Sequence, residues 1–305
     1  MTLTFSVVTP SYNQGLFIER TIQSVLAQTD VAFDYMVCDG GSTDQTVGVL
    51  KQYQHQLRWV SEPDGGQADA VNKGIRSTRG DIIAWINSDD VYYPEAFRQV
   101  QQVFLTHPEV QVVYGQANHI DRDDKFIESY PTEPWNYRRL REICFLCQPA
   151  VFFRRQMVQN YGDLDANLKF CMDYEFWLRY GQHTDFFYLP KPLAGSRFYQ
   201  DTKTLGQRVA VHYEINDMLK AKFSRSPERW VLAYASVSVE EREKLEGSDV
   251  GNLLAPVQRI NEFCAEAFHG YRRWRNFAVS PSTIWQIARW IAAAYYHWLR
   301  SKVNF

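Results

Sequence analysis

The chain has 305 residues, enough for one large domain or two smaller ones, and its 45% hydrophobic and 22% charged content is that of an ordered globular protein rather than a disordered one. A net charge of −2 argues against a nucleic-acid binder, and five cysteines without framework spacing argue against a disulfide scaffold. The start, MTLTFSVVTPSYNQG, has no basic leader and no cleavage pattern, so a cytoplasmic protein is expected.

The first half alternates strand and helix signals. FSVVTP is a β-branched run stopped by Pro10. LFIERTIQSVLAQ places Ile18, Ile22, Val25 and Leu26 on one helical face. YMVCDGG reads as a strand and turn, and STDQTVGVLKQY opens a helix with the capping residues Ser42, Thr43 and Asp44. LRWVSE is a third strand. QADAVNKGIRST is a helix with Ala68, Val71 and Ile75 inward. DIIAWIN is a fourth strand, apolar enough to be covered on both faces. This βαβαβαβ order predicts a mostly parallel sheet with right-handed crossovers, flanked by helices. Residues 110 to 200 mix strands (VQVVYGQ, PAVFFRR, FFYLPKPLAGSRF) with loops and a short helix, DYEFWLRYG. From about Thr204 the pattern turns helical, which predicts a first domain over 1–203 and a helical extension over 204–305.

Ligands of parallel sheets bind beyond the carboxyl ends of the strands. The polar residues gather there: Thr9, Ser11 and Asn13, then Asp39 to Asp44, then Asp64 to Gln67, then Asn87 to Asp90. No GxGxxG or Walker loop follows the first strand, which excludes the usual dinucleotide and P-loop modes. Asp89 and Asp90 suit a hard divalent cation, Mg²⁺ or Mn²⁺, whose other ligands are water and phosphate. Asp39 and Asp44 are placed either to accept bonds from a base or ribose or to stabilise their own turns. Further on, Asp173 and Trp177 lie one helical turn apart, a carboxylate beside an indole, which fits either sugar chemistry or a capping acid before core aromatics. Cys144 and Cys147 form a CxxC with no second pair to complete a zinc site.

Taken in order, SVVTPSYNQGLFIERTIQSVLAQ, VCDGGSTDQT, SEPDGGQADAVNKGI, GDIIAWINSDD, QPAVFFRR and MDYEFWLRYG resemble the inverting family 2 glycosyltransferases, over residues 4 to about 200. The resemblance implies a GT-A fold, a nucleotide-sugar donor (a UDP-sugar by family frequency) and a divalent cation. NSDD stands at the family's DXD motif, which implies Asp90 as metal ligand and Asp89 at the ribose or metal. Asn87 stands where many members have Asp. By the same resemblance Thr9 and Asp39 contact the nucleobase, and Gln67, Asn72 and Lys73 line the donor site, with Lys73 at a phosphate. Asp173 matches the catalytic base of the family's ED-type motif, with Met172 in place of the usual acidic neighbour. Glu175 is the fallback base, and Glu175 and Trp177 are expected at the acceptor.

Residues 267 to 305 contain no Asp or Glu, six Arg or Lys, and four of the nine tryptophans. Gln286, Arg289, His297 and Arg300 form a narrow polar stripe on an otherwise apolar helix within the tail 271–305. A central Arg289 would cost about 2.5–3.5 kcal/mol in a membrane-spanning helix. The expected placement is therefore peripheral, in the interface of a membrane's cytoplasmic face, which suits a glycan or lipid-linked sugar acceptor in surface polysaccharide assembly. The rival reading is a non-catalytic nucleotide-sugar-binding or scaffold subunit that recruits a partner through this tail; Asn87 and Met172 keep it open.

Overall fold

The computed structural model describes residues 3–199, 202, 206–246, 255–277 and 279–303. The chain divides into two compact units, Met1–Leu140 with Cys144–Thr202, and Arg141–Ile143 with Lys203–Phe305. The expected boundary at Thr204 lies outside the described residues.

The first unit is built on one mixed sheet. Its strands are β1 (Thr4–Ser11), β2 (Ala32–Asp39), β3 (Arg58–Ser61), β4 (Ile82–Trp85), β5 (Val91–Tyr92), β6 (Val112–Ile120), β7 (Phe126–Ser129), β8 (Val151–Arg154) and β9 (Phe187–Arg197). Their order is β3-β2-β1-β4-β8-β6-β9-β5, with β7 paired to β6. β1 to β4 are mutually parallel, whereas β8 runs antiparallel to both β4 and β6. The parallel half thus delivers four strand ends to one rim.

Helices cover both faces of that half. Phe5, Val7 and Val37 share a core with Ile18, Ile22 and Val25 of α1 (Ile18–Leu26), Leu50 of α2 (Thr46–Gln52) and Phe97, Val100 and Phe104 of α4 (Ala96–Thr106). The alternate residues face the other way: Met36 and Cys38 pack on Ala70 of α3 (Gln67–Ser77). That is the period of two that a strand covered on both faces requires. Gly74 lets α3 lie against Val8, because a Cβ there would overlap the valine methyl.

β1 does not stop at Pro10; it pairs with β2 through Ser11↔Asp39. Backbone polarity explains this. The Val8 carbonyl faces β4, accepting the Ile86 N–H at 3.0 Å, and the Ser11 carbonyl faces β2, accepting the Gly40 N–H at 2.8 Å. Pro10 therefore faces the β4 side, where pairing has already ended at Val8↔Trp85. Its missing donor costs no ladder bond.

The second unit is helical: Arg208–Phe223, Glu228–Glu246, Ala255–Arg273 and Pro281–Val303. Its core centres on Trp274, fully buried, which meets the Tyr234 ring edge-on at 4.9 Å and donates from Nε1 to Asp217 at 2.7 Å. This tryptophan, expected within the membrane-facing tail, is instead a core residue. The last helix is different. Ile284, Trp285, Trp290, Tyr295 and Tyr296 are exposed, and the Arg289 guanidinium lies 4.6 Å from the Trp285 ring centre. Among the described residues no helix is long and apolar enough to cross a membrane. The side chains of His297, Trp298 and Arg300 lie outside the described residues.

Candidate active site

The first two rim loops are tied to each other. Asn13, in the left-handed region at φ 52°, donates its N–H to Ser42 Oγ at 2.7 Å and accepts from the Thr43 N–H at 2.9 Å. The Gly15 N–H donates to Asp44 at 2.9 Å, and the Gln14 N–H to Thr46 Oγ1 at 2.9 Å. A side chain on Gly15 would press within 3.0 Å of that carboxylate. Asp44 also accepts from the Thr46 N–H and hydroxyl. Burial raises its pKa, but these donors outweigh burial and hold the carboxyl below its usual range. Of the two readings of Asp44, the structure displays turn stabilisation.

Asp39 is 2% exposed and takes three donors, the Ser42 N–H and hydroxyl and the Ser61 hydroxyl, at 2.5–2.9 Å. Its register neighbour Ser11 is buried with a hydroxyl that has no partner among the described residues. Thr9 departs from expectation. It is fully buried, two residues inside the strand end, and its hydroxyl bonds Tyr35 Oη at 3.1 Å. Its side chain faces the core, so Ser11 and Asp39 are the polar pair at this strand end.

Two donor-lining expectations also change. Asn72 is 4% exposed and spends both ends of its amide on the Leu164 backbone, at 2.9 and 3.0 Å. Lys73 is ion-paired with Glu62 at 2.6 Å, a bond that raises the lysine pKa. Gln67 does reach the motif, donating to Asn87 Oδ1 at 2.8 Å.

The two adjacent acids of NSDD occupy different environments. Asp90 is 3% exposed; it accepts the Arg197 N–H at 2.8 Å, and its own carbonyl accepts Thr21 Oγ1 at 2.7 Å. Burial first, then the Asp89 charge, pushes its carboxyl well above the usual range. Asp89 is only half-buried and accepts the Tyr199 hydroxyl at 3.1 Å. Beneath both lies Arg197, whose side chain is wholly buried. It donates to the Asp89 carbonyl at 2.7 Å and pairs with Asp124 at 2.5 Å. Asp89 is thus the more accessible carboxylate, the reverse of the order implied by resemblance. Among the described residues no three Asp, Glu, His or Cys side chains converge. The donor set fits an ion held by one or two carboxylates and completed by phosphate oxygens and water, the habit of Mg²⁺ and Mn²⁺.

The second acid arrives from far along the chain. Asp173, half-buried, stands in the first turn of the helix Met172–Tyr180. Cys147 is a buried free cysteine. Its thiol is pushed well up by burial, then by the charge of Asp90, and also by that of Asp173. Cys144 is raised by burial and then by Asp173. The charges of both acids therefore fall on one buried thiol. All five cysteines are free.

Glu175 and Trp177, the expected acceptor residues, point elsewhere. Glu175 is 8% exposed and ion-paired with Arg179 at 2.9 Å. Trp177 is 0% exposed, packed edge-on against Phe153, Phe176 and Phe186. A buried, paired carboxylate and a core indole do not meet an acceptor. Arg197 and Tyr199 were missed by motif reading; the one signal was an arginine closing the apolar strand PLAGSR.

Comparison with known proteins agrees with this architecture. The profile of "Glycosyl transferase family 2" matches residues 6–162, just over half the chain. An uncharacterised glycosyltransferase of Nostoc sp. is 32% identical over 173 residues, 52% of this chain and 53% of that protein. Chondroitin synthase of Escherichia coli is 25% identical over 61% of this chain and 28% of its own. The chain spans 35% of the Rickettsia bellii relative that it matches and 66% of the Rickettsia prowazekii one. Among solved structures, a Pyrobaculum calidifontis mannosyltransferase in complex with GDP-Man and Mn²⁺ superposes with TM-score 0.58 at 14% identity, covering 100% of this chain and 87% of that one. S. aureus TarS in complex with UDP-GlcNAc gives 0.56 at 17% identity, covering 88% and 90%. The fold is GT-A, and the chain belongs to glycosyl transferase family 2.

Proposed function

We propose that this protein is an inverting glycosyltransferase that moves a sugar from a nucleoside diphosphate to an acceptor hydroxyl. The observation that carries the reading is the gathering of Ser11, Asp39 and the NSDD acids at the carboxyl ends of the parallel strands β1, β2 and β4. Ser11 and Asp39 form the polar end of the donor cleft and face the nucleobase. Asp89 would hold a divalent cation, with Asp90 as the buried anchor beneath it; that ion supplies positive charge to the donor diphosphate. Mn²⁺ accompanies GDP-Man in the mannosyltransferase structure, and UDP-GlcNAc occupies TarS; both support a nucleotide-sugar donor here.

Asp173 is the general base. It takes the proton of the acceptor hydroxyl as that oxygen bonds to the anomeric carbon. The bond from that carbon to the diphosphate oxygen breaks with its electrons leaving on the nucleotide. Attack from the face opposite the nucleotide inverts the centre, and a positioned carboxylate contributes about 10²–10⁴ to such a step. The acceptor is a hydroxyl of a glycan or lipid-linked sugar in surface polysaccharide assembly. The exposed aromatic helix Pro281–Val303 holds the enzyme peripherally at the cytoplasmic face of the membrane, where its acid-free sequence meets anionic headgroups.

The test is a thermal-shift series with UDP and GDP, with and without Mn²⁺, on wild type and Asp89→Ala. A ligand at 100 times its dissociation constant stabilises the folded state by about 2.7 kcal/mol. A metal-dependent shift for one nucleotide, lost in Asp89→Ala, is the expected result. No shift with either nucleotide would sink the donor assignment and favour a scaffold subunit.

A further inference from the structure

The expected phosphate-binding cation, Lys73, is committed to Glu62. A cleft for a nucleoside diphosphate carries more negative charge than one divalent ion beside a carboxylate offsets, so a second cation is called for. Three arginines surround the buried ring of Phe17: Arg197 at 4.8 Å, Arg20 at 5.4 Å and Arg122 at 5.9 Å from its centre. Arg20 and Arg197 both pair with Asp124, at 3.0 and 2.5 Å. Arg122, in the β6–β7 turn, is exposed and has no acidic partner among the described residues. Its guanidinium also lies 5.6 Å from the ring centre of Tyr199, and the hydroxyl of that same ring bonds Asp89 at 3.1 Å.

We propose that Arg122 binds the diphosphate of the nucleotide donor and stabilises the charge of the departing nucleotide. The two rings hold the guanidinium without neutralising it, and the Tyr199 ring carries the hydroxyl that bonds Asp89. A stacked guanidinium keeps its planar fork of N–H donors for phosphate oxygens. The proposal rests on the glycosyltransferase reading and deepens it by naming the protein's own cation for the leaving group.

Calorimetric binding of UDP, UMP, GDP and GMP in Mn²⁺, to wild type and Arg122→Gln, tests it. Wild type is expected to prefer one diphosphate over its monophosphate. Arg122→Gln should lose about tenfold or more of the diphosphate affinity, with monophosphate affinity held within about twofold. Arg122→Lys, which keeps the charge without the fork, should fall between. Equal losses for both nucleotides, or no loss in either variant, would overturn the role of Arg122 while leaving the donor assignment intact. A wild type that binds neither diphosphate overturns the donor assignment, and this proposal with it.

Discussion

The rim of the parallel half-sheet and the terminal helix Pro281–Val303 reveal themselves by opposite signs. At the rim nearly every polar side chain is satisfied. Asp44, Asn72, Lys73 and Glu175 each have a local partner that explains them without a ligand. The informative groups are the Ser11 hydroxyl and the Arg122 guanidinium, which lack a hydrogen-bonding and an acidic partner among the described residues, beside the accessible carboxylate of Asp89. In the terminal helix the apolar groups are left over instead, with Trp285 at 63% and Ile284 at 58% exposed. A site for a charged ligand is found by asking which polar group lacks a partner; a docking surface, by asking which ring lacks a cover.

The comparison breaks first at Asp173. If this carboxylate is the base, Asp173→Asn should cut kcat by about 10²–10⁴ and leave nucleotide affinity unchanged, read by single-turnover transfer beside a binding isotherm. Full transfer, or lost binding, would remove Asp173 from the chemistry. The next effect is on stability. Trp274→Ala should cost the helical unit about 3–5 kcal/mol, visible as a lowered midpoint in chemical denaturation. A loss under about 1 kcal/mol would mean that the indole is not the core residue its full burial implies.

What the sequence made legible follows the same division. The four parallel strands and their helices were readable because period two and period 3.6 are strong signals in covered strands and amphipathic helices. Ala68, Val71 and Ile75 are buried as the helical spacing demands. The rim as a place was readable too, because parallel strands all end on one side. Individual roles were less so. Thr9 and Ser11 differ by two residues, and where β1 ends depends on how far β2 runs beside it, a tertiary fact. Trp177 follows Asp173 by one turn, yet the helix Met172–Tyr180 is buried almost all round, so sharing a face with a half-exposed acid does not expose the indole. Two-residue β5 and the hairpin strand β7, whose residues are all exposed, leave no periodic trace to read. Arg197 was invisible for a different reason: a buried arginine is recognised by the carbonyls and carboxylate that meet it, and those come from loops more than seventy residues away.

A smaller effect separates satisfied from unsatisfied groups by pH. Burial raises Glu228, but the Ser280 N–H and the hydroxyl of Tyr271 outweigh it and hold the carboxyl below its usual range. A depressed folded-state pKa contributes stability that is present above the unfolded value of about 4.3 and lost as pH falls through the folded one. Glu228→Gln should therefore be less stable than wild type at neutral pH. The gap in denaturation midpoint should close as the pH falls below about 4. A gap that is constant from pH 7 to pH 3 would show that the carboxylate's charge plays no part.

The smallest stability effect carries the sharpest statement about the terminal helix. Trp285→Ser and Trp290→Ser remove rings that are 63% and 44% exposed, so the folded protein should change by no more than about 0.5 kcal/mol. Flotation with vesicles containing anionic lipid should nevertheless drop in the double variant, because interfacial binding scales with buried apolar area plus attraction between cations and headgroups. Raising the salt should weaken what binding remains, since Arg289 and its neighbours act through a screened field. Stability and flotation thus move independently if the rings face lipid. If the double variant instead loses several kcal/mol, those rings are covered by protein, and the aromatic helix is a packing element like the one that buries Trp274.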